Sequence, residues 1–325
     1  MPVAIFEVST PTYPEPLQPT GVLEPFKFED ATPVIGREYP ELNPVDDVLR
    51  AKNSSELIRD LAITISQRGV VFFRAQDNLT DDLQKELILK LGELSGRPAE
   101  STLHFGPSDK QISSISSAAN NYINRNVKKD RVDRRGGAST WHSDIQFEPT
   151  PADYTSLRLA ELPPNGGDTI DPYRKFLEGL TATFKGQGFV KAAEANPDKY
   201  KILEGPRGHP ENIGRVLKTV HPIVRTNPVT GWKSIFAVGP FLTRINELSA
   251  RESKELSKLL YRRILENHDL QVRFKWRNKN DFATWDNCSV FHSATDDYDE
   301  LRVGHRVVGI GEKPYFDPES KSRNE

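Results

Sequence analysis

The feature that most constrains this chain is a set of metal-ligand side chains scattered over distant segments. His142 and Asp144 stand two positions apart, and His292 follows 148 residues after Asp144 (144 to 292). On an extended strand, residues i and i+2 face the same side, about 6.5 Å apart at Cα. His142 and Asp144 can therefore reach one ion, but His292 joins them only in a fold that returns distant strands to one place. A lone His-x-Asp pair more often marks exposed polar residues with no special task. Two arginines behind His292 argue against that reading: Arg302 and Arg306 share one face of a strand, about 13 Å apart.

The composition sets wide bounds. At 325 residues the chain can bury a full core, as one large domain or two small ones. Hydrophobic residues make up 36% and charged residues 28%, and a net charge of −2 gives no general attraction to nucleic acid or membrane. Cys288 is the only cysteine, which excludes an internal disulfide and a thiolate metal cluster. The first residues, Met1 to Glu7, have no basic stretch leading into an apolar run, so no secretory signal is expected. No run of about 18 apolar residues is present to span a bilayer. The expectation is a cytoplasmic protein with neither nucleic acid nor membrane among its partners.

Residues 1–44 hold nine of the 24 prolines and little periodicity. They read as an N-terminal arm, 1–47, lying on the domain or partly disordered. The main domain is expected over 48–318, with a short tail over 319–325. A helix is expected from Ser54 to Arg68, with Leu57, Leu61 and Ile65 on one face and Gly69 ending it. Val70 to Phe73 reads as a buried strand, and a second helix begins at Thr80 with a stripe of Leu83, Leu87, Leu91 and Leu94. Tyr154–Ala160, Val216–Val224 and Trp232–Val238 alternate as strands do, and the turn from Asn227 to Gly231 closes a hairpin between the last two. Asp171-Pro172 reads as a helix start, and Ser249 with Glu252 as a capping box. Four short strands follow, around Val272–Trp276, Phe282–Trp285, Ser289–His292 and Val303–Ile310. This pattern predicts a mainly β fold: a two-sheet jelly-roll core with helical decoration.

Two imidazoles and one carboxylate leave three adjacent positions of a metal open, which suits non-haem Fe(II) in oxygenases. An arginine after the last ligand supplies a planar, permanently charged fork for the far carboxylate of a dicarboxylate cosubstrate. The residues therefore read as Fe(II)- and 2-oxoglutarate-dependent oxidation. Their context is specific. Trp141 precedes the first pair, and Gly166-Gly167-Asp168-Thr169 follows it. The distal block runs from Trp285-Asp286-Asn287 through His292-Ser293-Ala294-Thr295 to Gly304-His305-Arg306. With Leu103-His104, the stretch Thr226 to Lys233 and Gln271-Val272-Arg273-Phe274, this set resembles the taurine/sulfonate dioxygenase family, from about Val70 to Pro318. The resemblance implies a double-stranded β-helix in which His142, Asp144 and His292 hold Fe(II). It implies that Thr169 and Arg302 bind the distal carboxylate of 2-oxoglutarate. Arg306 would then meet the sulfonate or other anionic head of a small organic substrate, with O2 as co-reactant. Phe241 resembles an aromatic of the family's substrate pocket, against the plain alternative of a core phenylalanine. His104 is a candidate pocket residue, and an even-numbered homo-oligomer fits the family.

The departures bear on the substrate. Where the family usually shows Leu-His-x-His-Pro, this chain reads Leu103-His104-Phe105-Gly106-Pro107, so Gly106 replaces a histidine that meets the sulfonate. After Thr169, Ile170 runs almost directly into Asp171-Pro172, and the run from Asp296 to Arg302 is also tight. The expected reaction is hydroxylation of an alkyl sulfonate with release of sulfite. The alternatives are turnover of sulfate esters or aryloxy acids, or a jelly-roll protein that binds an anionic ligand with weak or lost turnover. A zinc hydrolase would leave Arg302 and Thr169 without a task. The other histidines read as structural: His209 and His221 before prolines, His268 after a helix, His305 on the strand face opposite Arg306. The basic cluster Arg125, Lys128, Lys129, Arg131, Arg134 and Arg135 is broken by Asp130 and Asp133 and lacks interleaved aromatics. It reads as a solvated loop, or as charge that draws an anionic substrate inward.

Overall fold

The computed structural model describes residues 12–105, 111–116, 141–159, 174–198, 200–293 and 303–323. Gly106, Thr169, Arg302, the Asp171-Pro172 helix start and the basic cluster over 125–135 lie outside them. The chain begins with β1 (Glu29–Asp30), β2 (Arg37–Tyr39) and a π-helical turn (Pro44–Leu49). Then come α1 (Ser54–Arg68), β3 (Val70–Phe73), α2 (Asp81–Leu94), β4 (Ser113–Ser116) and β5 (Ala152–Leu159). The middle carries α3 (Arg174–Leu177), β6 (Thr181–Lys185), α4 (Gln187–Ala195), β7 (Lys218–Pro222), β8 (Val224–Thr226), β9 (Lys233–Ile235) and β10 (Leu242–Ile245). The last elements are α5 (Ala250–Glu266), β11 (Asp281–Asp286) and β12 (Val303–Ile310).

Helices α1 and α2 form where the apolar spacing and caps call for them. Leu57, Leu61 and Ile65 lie on one face of α1 and are buried, as are Leu87 and Leu91 of α2. Each such side chain contributes about 1.5–3 kcal/mol on leaving water. Thr80 caps α2 by accepting from Leu83 N at 3.3 Å. Both helices cover one face of a seven-stranded sheet of order β1-β2-β3-β11-β5-β12-β4. Only the β2–β3 pair is parallel among its ladders.

Strand alternation sends side chains to opposite faces of that sheet. Val307 of β12 joins the helix-side core with Tyr154 and Phe282, whereas Val308 and Ile310 turn the other way. There they meet a second layer, β10-β6-β7 and the β8–β9 hairpin, through Ala182, Phe184, Phe236 and Ile245. Two facing β layers with helices outside make the expected jelly roll with helical decoration. The β8–β9 hairpin closes as its residues predict: Asn227 Oδ1 accepts from Val229 N at 2.9 Å and Thr230 N at 3.1 Å. Gly231 then takes φ +67, which a side chain would resist. Within the stretch read as an arm, β1 and β2 join the main sheet and Leu23, Tyr39 and Leu42 enter its core, while further upstream Leu17 N donates to Val229 O at 2.8 Å. Asp60 receives Thr20 N at 2.9 Å and Gly21 N at 2.9 Å.

Two expected strands are absent as strands. Val272–Trp276 carries no ladder; its Phe274 is buried instead by stacking on Phe72, 4.1 Å between centroids and 3° from parallel. Ser289–His292 is the end of a turn followed by a single bridge at His292. Among the described residues no helix is long and apolar enough to cross a membrane.

Candidate metal centre

The site stands on the inner face of three adjacent strands, β11, β5 and β12. Thr155 of β5, Trp285 of β11 and Arg306 of β12 point to this side, while His305 points away and pairs with Asp81 at 2.7 Å. Just past β11 the chain turns, and His292 comes back beside His142. The two residues exchange both backbone bonds, His142 N to His292 O at 2.9 Å and His292 N to His142 O at 2.8 Å. This one antiparallel bridge joins positions 150 residues apart (142 to 292) and so brings His292 to the His142–Asp144 pair. Gly239 makes room for it: with φ +105, a Cβ there would stand 2.9 Å from Trp141 O.

Asp144 does not sit on a strand with His142, as the i, i+2 spacing predicts. It opens a turn, followed by Ile145 at φ +47, and no ladder holds it. A side chain replaces the ladder: Asn287 Oδ1 accepts from Asp144 N at 3.0 Å. Asp144 Oδ1 then faces both imidazoles, 3.9 Å from His142 Nε2 and 3.8 Å from His292 Nε2. Oδ2 receives the Thr155 hydroxyl at 3.0 Å, and Arg306 Nη1 donates to Oδ1 at 2.8 Å.

Burial would push the Asp144 carboxyl up, but Arg306, His292, His142 and the Thr155 hydroxyl hold it well below the usual carboxylate range. Burial pushes His292 down to about 3; Asp144 opposes this, while His142 and Arg306 add to it. His104 falls to about 4, mainly by burial and then by Arg306 and Arg207. The centre thus holds an anionic carboxylate and a neutral His292 at neutral pH, the ionisation states that metal ligation requires. His142, Asp144 and His292 each place one donor atom within 4.8 Å of the others. This nitrogen–nitrogen–oxygen set fits Fe(II) and leaves coordination positions for other ligands.

Around it the structure places the remaining expected residues. Phe241 meets the His142 ring edge-on at 6.1 Å. His104 donates its backbone N–H to Val308 O at 2.8 Å, alongside β12. Thr169 and Arg302 lie outside the described residues. A profile of the taurine catabolism dioxygenase TauD, TfdA family matches residues 27–308.

The chain belongs to that family.

A dioxygenase relying on Fe(II) and 2-oxoglutarate, as the residues predict, agrees with TauD/TfdA membership and with the donor set. The alpha-ketoglutarate-dependent dioxygenase esdpJ of Penicillium shearii is 43% identical, with 96% of each chain covered. An alpha-ketoglutarate-dependent sulfonate dioxygenase of Saccharomyces cerevisiae is 28% identical over 90% of this chain and 68% of its own. The crystal structure of a taurine dioxygenase from Burkholderia xenovorans superimposes with a TM-score of 0.64 at 22% identity, covering 91% of this chain and 94% of that one. The fold is therefore that of the TauD-like dioxygenases.

Sequence reasoning missed several residues at this TauD/TfdA centre. Trp285 packs on His292 with 4.7 Å between centroids. Phe147 and Phe189 join Phe241, at 5.1 Å and 6.3 Å, into an aromatic wall next to His142. Asn287 and Thr155 brace Asp144. Trp285 and Asn287 lie in the distal motif block, so their place in the sequence carried a signal. Thr155, Phe147 and Phe189 carried none, because nothing local marks a strand threonine, a turn phenylalanine or a helix phenylalanine as standing near an ion.

Proposed function

We propose that this protein is a 2-oxoglutarate-dependent oxygenase that hydroxylates an anionic organic substrate, with an organic sulfonate bulkier than taurine as the first candidate. The observation that carries the reading is Arg306, whose Nη1 stands 2.8 Å from Asp144 Oδ1 and so puts a cation beside the candidate metal ligands. A sulfonate or carboxylate head held by that planar fork would bring the adjoining carbon near the ion. His104 serves as an uncharged hydrogen-bonding group near neutral pH, since its pKa lies at about 4. The wall of Phe147, Phe189 and Phe241 suits a hydrocarbon body next to the charged head. Gly106 lacks the imidazole that the family places there, which disfavours small taurine-like acids.

Arg302 and Thr169 hold the distal carboxylate of 2-oxoglutarate in this reading. Bound Fe(II) supplies the activation of O2 that is coupled to conversion of 2-oxoglutarate to succinate and CO2. Hydroxylation of a sulfonate at the carbon bearing sulfur leaves an adduct that expels sulfite and becomes an aldehyde. The name of the yeast relative fits this choice, and that of the Penicillium relative states no substrate. The test is to supply the Fe(II)-loaded protein with 2-oxoglutarate, O2 and a panel of sulfonates, sulfate esters and aryloxy acids. Succinate coupled to sulfite supports the sulfonate, and succinate with sulfate or a phenol moves the assignment to those substrates. No substrate-stimulated succinate, with metal and 2-oxoglutarate bound, overturns it.

A further inference from the structure

We propose that Asn287 is a positioning residue that decides which oxygen of Asp144 faces the metal. Asn287 follows β11 directly and is 1% exposed, with its backbone N–H on Asp153 O at 2.8 Å. Its side-chain amide can point only one way. Oδ1 faces Asp144 N at 3.0 Å, a group that only donates. Nδ2 faces Asp153 O at 3.0 Å, a group that only accepts, and Thr155 Oγ1 at 2.8 Å.

The consequence passes to Thr155. Its hydroxyl accepts from Asn287 Nδ2, so its single proton is left for Asp144 Oδ2, 3.0 Å away. Oδ2 is thereby tied back to β5. Oδ1, which also receives Arg306 Nη1 at 2.8 Å, is the oxygen that faces His142 Nε2 at 3.9 Å and His292 Nε2 at 3.8 Å. One amide thus does two things: it holds the Asp144 backbone where no ladder does, and it orients the carboxylate through Thr155. Ser143 adds to the anchor by donating to Asn287 O at 2.9 Å. Oδ1 would then be the oxygen that Asp144 offers to the ion.

This inference rests on the metal assignment at His142, Asp144 and His292, and the test separates the two. The probe is Co(II), titrated anaerobically into the whole chain and read by affinity and visible absorption, with circular dichroism as a control for folding. Thr155→Ser keeps the hydroxyl and should bind as the wild type does. Thr155→Val is nearly isosteric but has no proton to give; it should lose about 10–100-fold in affinity and change the absorption envelope. Asn287→Asp removes the donor and should produce a comparable loss. The double variant should cost no more than the larger single loss, because both act through one proton. Wild-type affinity and an unchanged spectrum in Thr155→Val, or losses that add in the double variant, would overturn the inference alone. A wild-type chain that binds no Co(II), or a His292→Ala variant that binds it fully, would overturn the metal assignment and this inference together.

Discussion

Asp144 and Asp153 lie nine positions apart (144 to 153), are both buried, and each faces an arginine. Their ionisation nevertheless runs in opposite directions. At Asp144, Arg306 sits 2.8 Å from Oδ1, two imidazoles stand nearby and a hydroxyl donates to Oδ2. These contacts outweigh burial and keep the carboxylate charged. At Asp153, burial dominates and raises the pKa to about 7; Arg97 and the Tyr154 N–H oppose it, while Glu312 and Asp286 add like charge. Arg97 Nη1 stops 3.7 Å short, and Asp153 Oδ2 has no hydrogen-bond partner. What differs is the arginine's contact: Arg97 at 3.7 Å does not hold a buried carboxylate charged, even beside the Tyr154 N–H, whereas Arg306 hydrogen-bonded at 2.8 Å, with two imidazoles and a hydroxyl near it, does. The charged carboxylate is the one set where a cation would bind.

Asp144→Asn is the strongest way to break this comparison. It removes the anionic ligand, and metal binding should fall from one ion per chain to none, with 2-oxoglutarate-dependent succinate formation at background. Metal analysis and succinate assay check it, and full turnover in the variant would show that the charge of Asp144 is not needed.

The next largest effect belongs to Asp153→Asn and concerns pH. A carboxyl whose pKa is raised to about 7 in the fold, from an ordinary value of 3.8, takes up a proton on folding between those values. Its contribution to stability is therefore fully present below about pH 4 and is lost as pH rises through about 7, by at most about 1.4 kcal/mol per pH unit. The variant lacks this loss. Its melting temperature relative to wild type should rise from pH 5 to pH 8, as thermal scans would reveal. A difference that stays flat with pH would mean Asp153 is ionised throughout.

Gly309→Ala sharpens the same side. A Cβ there would collide with Asp153 Oδ1 and stand 3.1 Å from Ile88 Cγ2, so stability should drop by about 1–3 kcal/mol in denaturant titration. An unchanged midpoint would mean that Asp153 can move aside freely. The smallest effect is expected at Phe189, which is 47% exposed, tilts against Phe147 and stacks on Phe241. Phe189→Ala should raise KM for apolar-bodied acids roughly two- to tenfold, the worth of an aromatic contact, with kcat nearly kept. Equal KM for bulky and small acids in variant and wild type would remove the aromatic wall from the substrate site.

The sequence by itself determined what depends on neighbours along the chain. The apolar spacing of Leu57, Leu61 and Ile65, the Thr80 cap, the Ser249–Glu252 capping box and the Asn227–Gly231 turn all form where their residues predict. These are contacts within a few positions, so local pattern is enough to specify them. His142, Asp144 and His292 were legible as a set because their chemistry is rare, although the strand expected under them shrinks to one bridge and a turn. Only the tertiary structure decided that Asn287 replaces the missing ladder, that Thr155 gives its proton to Asp144, and that the pKa values of Asp144 and Asp153 move in opposite directions. Each of these depends on distances between groups brought together from far along the chain: Asp144 with Asn287 and Arg306, Asp153 with Arg97, Asp286 and Glu312. Hydrogen-bond direction and desolvation follow from those distances, and residue spacing along a chain does not encode them.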